Sequence, residues 1–393
     1  MPAPATPSPS ALEPDLGPFV SNAPKLTPRQ WLLVLAVALT VMLGLPRLWP
    51  RVERFDTPAD YRLPYALSED YWLYEQRLNR LTAEQIPIIG DSVIWGEYVL
   101  RDGTLSHFLN AAVGAPDRFV NAGVNGMFPL ALEGLVRHYG GALRHRKVIL
   151  HGNLLWMSSP EADLSTPKER PFNHARLVPQ FYPRLPCYRA DGSTRLSRII
   201  GRSSDFLSWV KHLQNAYFGQ QNFLAWTLAD DGKYPPHYPN AWRNPLRQIT
   251  LRVPGEPRPD PERGPASPRH RPWSKDGGPG TQRFNWVPLE RSLQWGAFQR
   301  LVRCLRERGN DVLVIVGPFN QHLMAPDNRP LFQKERAQML AWLREQNVSV
   351  VAPSLLPSNL YADASHPLTE GYHQLAGEIR NDATFQEWLG REQ

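Results

Sequence analysis

Cysteine is nearly absent: Cys187 and Cys304 are the two among 393 residues. They form neither a CxxC redox pair nor a metal-ligand spacing, and they read as two unrelated buried thiols rather than a disulfide. No set of His, Cys and carboxylates is clustered as a metal site requires, so no metal and no cofactor is expected. Dense Lys/Arg runs with interleaved aromatics are missing too. The formal net charge of +7 is spread as scattered arginine, which argues against a groove that tracks a phosphate backbone, and no nucleic-acid partner is expected. No internal repeat is evident.

Proline and tryptophan are plentiful, at 40 and 13 residues, and 42% of the chain is hydrophobic. That composition gives a sizeable core with long loops, in one large domain with insertions or in two ordinary ones. Residues 1–28 form a Pro-, Ala- and Ser-rich tail with the composition of a disordered segment. One long apolar run follows, "WLLVLAVALTVMLGLPRLW" at 31–49, uncharged from Trp31 to Pro46 with a Trp at each end. At about 1.5 Å per residue it reaches roughly 27 Å, close to a hydrocarbon core. The terminal tryptophans suit the interfacial belt. A membrane helix over 29–50 is expected, in preference to a buried core helix. A cleaved signal peptide fits less well, because the preceding tail is long and no small-x-small site follows. Lys25 and Arg29 precede the run, whereas Arg47, Arg51, Arg54 and Arg62 follow it. Counted plainly, this keeps the remainder of the chain in the cytoplasm.

Five short apolar runs read as buried strands: 86–90, 118–123, 147–152, 311–317 and 348–353. Helical patterns lie between several of them, at 130–143, 289–309 and 331–346. In the second, Leu293, Phe298, Leu301, Val302 and Leu305 share one face. Alternating strand and helix argues for an α/β fold with a parallel sheet covered on both faces, and functional groups then gather at the carboxyl ends of the strands. A long insertion, 158–288, separates the third and fourth strands. Its aromatic part, 206–226, suits helices packed near the site, and its Pro/Gly-rich part, about 253–283, suits a mobile loop.

Four strand ends carry suggestive polar groups: Gly90-Asp91-Ser92, then "NAGVNG" at 121–126, then Asn153, then "DASHP" with Asp363 and His366. Each alone is ordinary turn or capping chemistry. Together at one sheet edge they match what acyl transfer needs. A serine hydroxyl becomes a competent nucleophile when an imidazole accepts its proton, and a carboxylate holds that imidazole in one tautomer. The backbone N–H groups of Ser92 and Gly126 and the Asn153 amide would serve as oxyanion donors. His151 and His322 also lie near strand ends, and the ordinary structural or solvated reading is preferred for both.

With GDS after the first strand, a glycine-bearing second block, an Asn third block and a late Asp-x-x-His-Pro, the chain resembles the SGNH (GDSL-like) hydrolases over about 86–157 and 290–385. The resemblance implies a three-layer α/β sandwich with a five-stranded parallel sheet in flavodoxin-like order. The catalytic domain would comprise 80–157 and 289–390. It further implies Ser92 as nucleophile, His366 as base, Asp363 as its orienting acid, and an oxyanion hole of Ser92, Gly126 and Asn153. The third block departs from the usual Gly-x-Asn-Asp, since Gly152-Asn153 is followed by Leu154. The function implied is that of a serine esterase or O-acyltransferase, tethered through 31–49 and acting on an acylated envelope carbohydrate or lipid-linked substrate. By the same likeness a membrane O-acyltransferase is an expected partner and the catalytic domain is expected on the exported side, against the arginine count. The alternative is a non-catalytic envelope scaffold that keeps the fold.

Overall fold

The computed structural model describes residues 26–229, 243–255, 271–274 and 280–391. Residues up to Arg47 and residues from Leu48 onward are two units. Helix α1 (Pro28–Val52) begins in the first. Its most apolar 18-residue window has a mean hydropathy of 2.0 and is 6% buried, so the helix is long and apolar enough to cross a membrane. It runs slightly beyond the expected 29–50 at both ends. Nearly all of the expected tail, and residues 256–270 and 275–279 of the expected mobile loop, lie outside the described residues.

The second unit opens with α2 (Tyr71–Leu78), capped by Asp70, whose carboxylate accepts from Leu73 N–H at 3.0 Å. Then come β1 (Ile86–Gly90), the single-turn α3 (Ser92–Trp95), α4 (Leu105–Val113), β2 (Phe119–Gly123), α5 (Pro129–Tyr139) and β3 (Lys147–Gly152). The Thr104 hydroxyl starts α4 and Gly114, at φ 68°, ends it. The insertion carries α6 (Gly192–Ser203), α7 (Asp205–Tyr217), α8 (Phe223–Leu228) and α9 (Pro245–Gln248). The chain returns through α10 (Leu293–Glu307), β4 (Asp311–Val316), α11 (Arg329–Glu345), β5 (Ser349–Val351), α12 (Thr369–Asn381) and α13 (Ala383–Gly390).

All five strands are parallel, in the order β2-β1-β3-β4-β5. Their residues alternate between two cores, as a sheet covered on both faces requires. Ile89, Val148, Leu150, Val312 and Val314 join the side chains of α5, α10 and α11. Ile88, Ile149, Leu313 and Ile315 join those of α4, α12 and α13. The expected α/β fold with a five-stranded parallel sheet is therefore present. The outermost strand is shorter than its sequence run: β5 covers three residues and pairs with β4 alone, and Pro353 stands where its continuation would lie.

The insertion is not a separate body. Leu177, Val178, Leu185 and Cys187 belong to the same core as α5 and α10, and so do Tyr61, Leu63, Tyr71 and Tyr74 from the stretch before β1. The core thus reaches beyond 80–157 and 289–390 in both directions. Cys187 and Cys304 are both free thiols, but only Cys187 is buried as expected; Cys304 is half-buried.

Candidate active site

Ser92 is the first residue after the β1–α3 junction, and that junction is tightly built. A Cβ on Gly90 would lie 2.4 Å from Ile94 Cγ1 and 2.8 Å from His151 Cβ. One on Gly123 would lie 2.4 Å from Trp95 N and 2.7 Å from the Ile94 carbonyl carbon. Glycine at both strand ends lets α3 sit directly on the sheet. The other end of α3 is held by Arg62, a buried side chain that donates to the carbonyls of Gly96 at 2.7 Å and Val99 at 3.0 Å. Its guanidinium also lies 4.6 Å from the Trp95 ring centre.

The last loop brings in the second and third groups. His366 Nδ1 lies 2.8 Å from both Asp363 carboxylate oxygens, and His366 Nε2 lies 2.8 Å from Ser92 Oγ. A proton on Nδ1 donates to the carboxylate and leaves Nε2 as acceptor for the serine hydroxyl. Asp363 also accepts from the backbone N–H groups of Ser365 and His366, each at 2.9 Å, which fixes the loop around the carboxylate. From the end of β4, buried Asn320 donates through its side chain to Asp363 O at 3.1 Å and through its backbone to Ala364 O at 2.8 Å. Tyr98 sets its ring edge-on to His366, centres 5.5 Å apart. Tyr98 does so from φ 66°, a left-handed backbone that a bulky residue seldom adopts.

Burial alone would lower the His366 pKa, but the charge and hydrogen bond of Asp363 outweigh it, with Asp91 and Glu97 adding. The net effect is a His366 pKa above the ordinary imidazole value. Burial alone would raise Asp363, and the His366 partnership with the two backbone N–H donors brings it below the ordinary carboxylate value.

Ser92 and Gly126 N–H groups donate to no described residue. Gly126 sits at φ 70°, and a Cβ there would meet Asn173 Nδ2 at 2.5 Å. Asn153 is more constrained than its sequence reading implies. Its Oδ1 accepts from Leu155 N–H at 3.0 Å, and its Nδ2 donates to Asp91 Oδ2 at 2.8 Å. One amide hydrogen remains for any other acceptor.

Asp91 is the hub that the sequence does not reveal. Its carboxylate accepts from Val93 N–H at 3.0 Å and Trp156 Nε1 at 2.9 Å, in addition to Asn153, and it faces His151 Nδ1 at 3.0 Å. Burial would raise its pKa, but the His151 charge and these bonds bring it well below the ordinary range. His151 also faces Gly317 O through Nε2 at 3.0 Å. His151 is thus the structural histidine expected, but it braces the residue preceding Ser92. The only hint was its place at a strand end. His322 bonds Leu356 O at 3.0 Å. No group of three His, Cys, Asp or Glu side chains able to hold a metal is found among the described residues.

The geometry is that of a serine whose proton can pass to an oriented imidazole, and the Ser92 and Gly126 backbone N–H groups donate to no described residue. No protein-family model matches the chain, and no curated protein matches it.

Proposed function

We propose that this chain is a membrane-tethered serine acyl hydrolase or O-acyltransferase of SGNH-like type. The reading rests on one observation: Ser92 Oγ, His366 and Asp363 form a continuous hydrogen-bonded relay with 2.8 Å links. Support also comes from the strand order, which places β1 between β2 and β3. We read this order as flavodoxin-like, a pattern in which the crevice beside the first strand is a usual place for a site.

In this reading Ser92 Oγ attacks an acyl carbonyl carbon while its proton passes to His366 Nε2. The resulting oxyanion is met by the Ser92 and Gly126 N–H groups, with the remaining amide hydrogen of Asn153 as a third donor. The tetrahedral adduct collapses to an acyl-enzyme as the leaving alcohol takes the proton from His366. Water gives hydrolysis by the reverse sequence, and a sugar hydroxyl gives transfer. The substrate class is an acylated carbohydrate or lipid-linked molecule of the cell envelope, with a membrane O-acyltransferase as candidate partner.

For the exported placement, α1 would be the single membrane span. Of the four arginines that follow the apolar run, Arg62 is buried in the folded unit and bonded to carbonyls. It therefore adds little to a count meant for exposed flanking charge.

A fluorophosphonate probe tests the chemistry. It is expected to label the wild-type chain in detergent and to leave Ser92→Ala unlabelled. Absence of labelling in folded wild type would favour the scaffold reading. A reporter fused at the carboxyl terminus tests the placement, and a cytoplasmic readout overturns it.

A further inference from the structure

We propose that a cavity between α5, α6 and α10 holds the phosphate of a membrane lipid headgroup, apart from the Ser92 site. The inference goes beyond the acyl-transfer reading and rests only on α1 as a membrane span. The cavity has a volume of about 530 Å³, inside the range of roughly 300–1,000 Å³ usual for small-ligand sites. Residues 177–183 of the insertion supply its remaining wall.

Charge selects the ligand. Arginines that the sequence scatters converge here, Arg137 on α5, Arg202 on α6 and Arg300 on α10, and Glu133 is the one carboxylate lining the cavity with them. Glu133 is buried. Arg300 donates to it through Nε at 2.9 Å and Nη2 at 2.8 Å, and Arg137 Nη2 adds a contact at 3.0 Å. One negative charge is thus shared by two guanidinium groups. Arg202 makes no ion pair among the described residues, and no carboxylate acts on its pKa. Its Nη1 donates to the carbonyls of Arg176 at 3.2 Å and Val178 at 3.1 Å, which fixes the guanidinium in place. His138 shares the cavity, and burial, Arg202 and Arg137 all lower its pKa, so the positive field is not cancelled there. Set against Glu133, the three arginines leave an excess of two positive charges. A phosphate monoester carries about −1.5 to −2 at neutral pH, and planar guanidinium forks match its oxygens.

The surroundings favour a lipid as the source of that phosphate. Phe181 and Tyr182, both in the cavity lining, are 57% and 91% exposed. On α6, Leu196 and Ile200 lie four apart on one face and are exposed as well. Exposed aromatic and aliphatic side chains beside a cationic pocket suit a boundary between headgroups and chains. The place in the fold agrees. Trp49, which ends the apolar run, packs on Trp209 of α7 with ring centres 5.5 Å apart. The hydroxyl of the neighbouring Ser208 lies 3.5 Å from that of Tyr139, the residue after His138. The Tyr139 hydroxyl also reaches the Arg202 carbonyl at 3.4 Å. The arginine cavity therefore adjoins the part of the folded unit that carries Trp49, where a headgroup layer would lie.

Titration calorimetry on the full chain in a neutral detergent tests this, in a Ser92→Ala background so that ester cleavage plays no part. The probes are dihexanoyl phosphatidic acid, dihexanoylglycerol and inorganic phosphate. One saturable site for the phosphatidic acid is expected, with dihexanoylglycerol weaker by about tenfold or more. Arg202→Gln and Arg137→Gln are each expected to weaken binding of the phosphatidic acid by about tenfold. The Arg137 side chain is 52% exposed, so its variant reports even if Arg202→Gln fails to fold. Tyr182→Ser should weaken the lipid by about threefold and leave inorganic phosphate unchanged. No saturable binding, equal binding of the two lipids, or unchanged affinity in the folded arginine variants each overturns the site. Inorganic phosphate bound as tightly as the phosphatidic acid, with Tyr182→Ser silent on both, overturns the lipid source. None of these readouts involves the chemistry of Ser92, so failure here leaves the fluorophosphonate result standing, and the reverse holds too.

Discussion

Stability should fall with rising pH because of one buried histidine in the insertion. His212 on α7 is wholly buried, with Nδ1 2.8 Å from Asp70 and Nε2 3.0 Å from Glu53, and its ring stacks on Trp72 with centres 4.4 Å apart. The Tyr217 hydroxyl also donates to Glu53. Burial would lower the His212 pKa, but the Asp70 charge and hydrogen bond, followed by those of Glu53, raise it from 6.5 to about 9. A folded pKa above the unfolded one stabilises the folded state fully below about 6.5, and that stability is lost as pH rises through about 9. The rise corresponds to something on the order of 3 kcal/mol. With roughly 2–4 °C per kcal/mol for domains of 150–250 residues, and less for a longer chain, the midpoint should drop by several degrees over this window. Thermal unfolding of the full chain in detergent, followed by circular dichroism from pH 6 to pH 10, measures it. His212→Ala leaves two buried carboxylates without their cation, so it should lower stability at neutral pH by about 3–5 kcal/mol and flatten the pH dependence. A wild-type midpoint that stays level from pH 6.5 to 9.5, or an equal slope in the variant, refutes the reasoning.

Further outcomes concern the site itself. If His366 is the base, acyl-ester cleavage should rise with pH along a limb centred above the ordinary histidine value near 6.5, since the base works when neutral. A limb centred below that value in kcat/KM would contradict the assigned surroundings of His366. Asp363→Asn should lower kcat by up to about 10⁴-fold with fold retained, measured on an aryl acetate, because the imidazole loses its preferred tautomer. Gly123→Ala puts a methyl against the Trp95 nitrogen. It should cost about 1–3 kcal/mol and reduce fluorophosphonate labelling of an unaltered Ser92, and full labelling at wild-type stability would count against the tight junction. Asp91→Asn should destabilise the chain in urea by several kcal/mol, since it removes the charge opposite buried His151.

The parts legible in the sequence were those written in local pattern. The runs ending at Gly90, Gly123 and Gly152 show as continuous apolar stretches before a glycine, and they became β1, β2 and β3. Asp363 and His366, three apart, could be expected in one loop, and they face each other there. What stayed hidden depends on pairs far apart along the chain. Arg62 has the sequence position of flanking charge for a membrane helix, whereas its side chain bonds the turn after α3. Trp156 and His151 carry no local sign of converging on Asp91. The short helix α2 gives too few turns for a strong periodic signal, so nothing local marks the stretch before β1 as part of the core it joins. Arg137, Arg202 and Arg300 read as scattered charge, because nothing local reports a shared cavity.

Ser92 and His366 meet across 274 positions of sequence. Closing so long a span costs chain entropy that only the packed cores on both sides offset, so this pairing is expected late in folding. Every partly folded chain therefore carries a plain hydroxyl at position 92, chemically inert toward esters. On the proposed reading, reactivity is a property of the finished molecule, and covalent labelling of Ser92 would report completed folding.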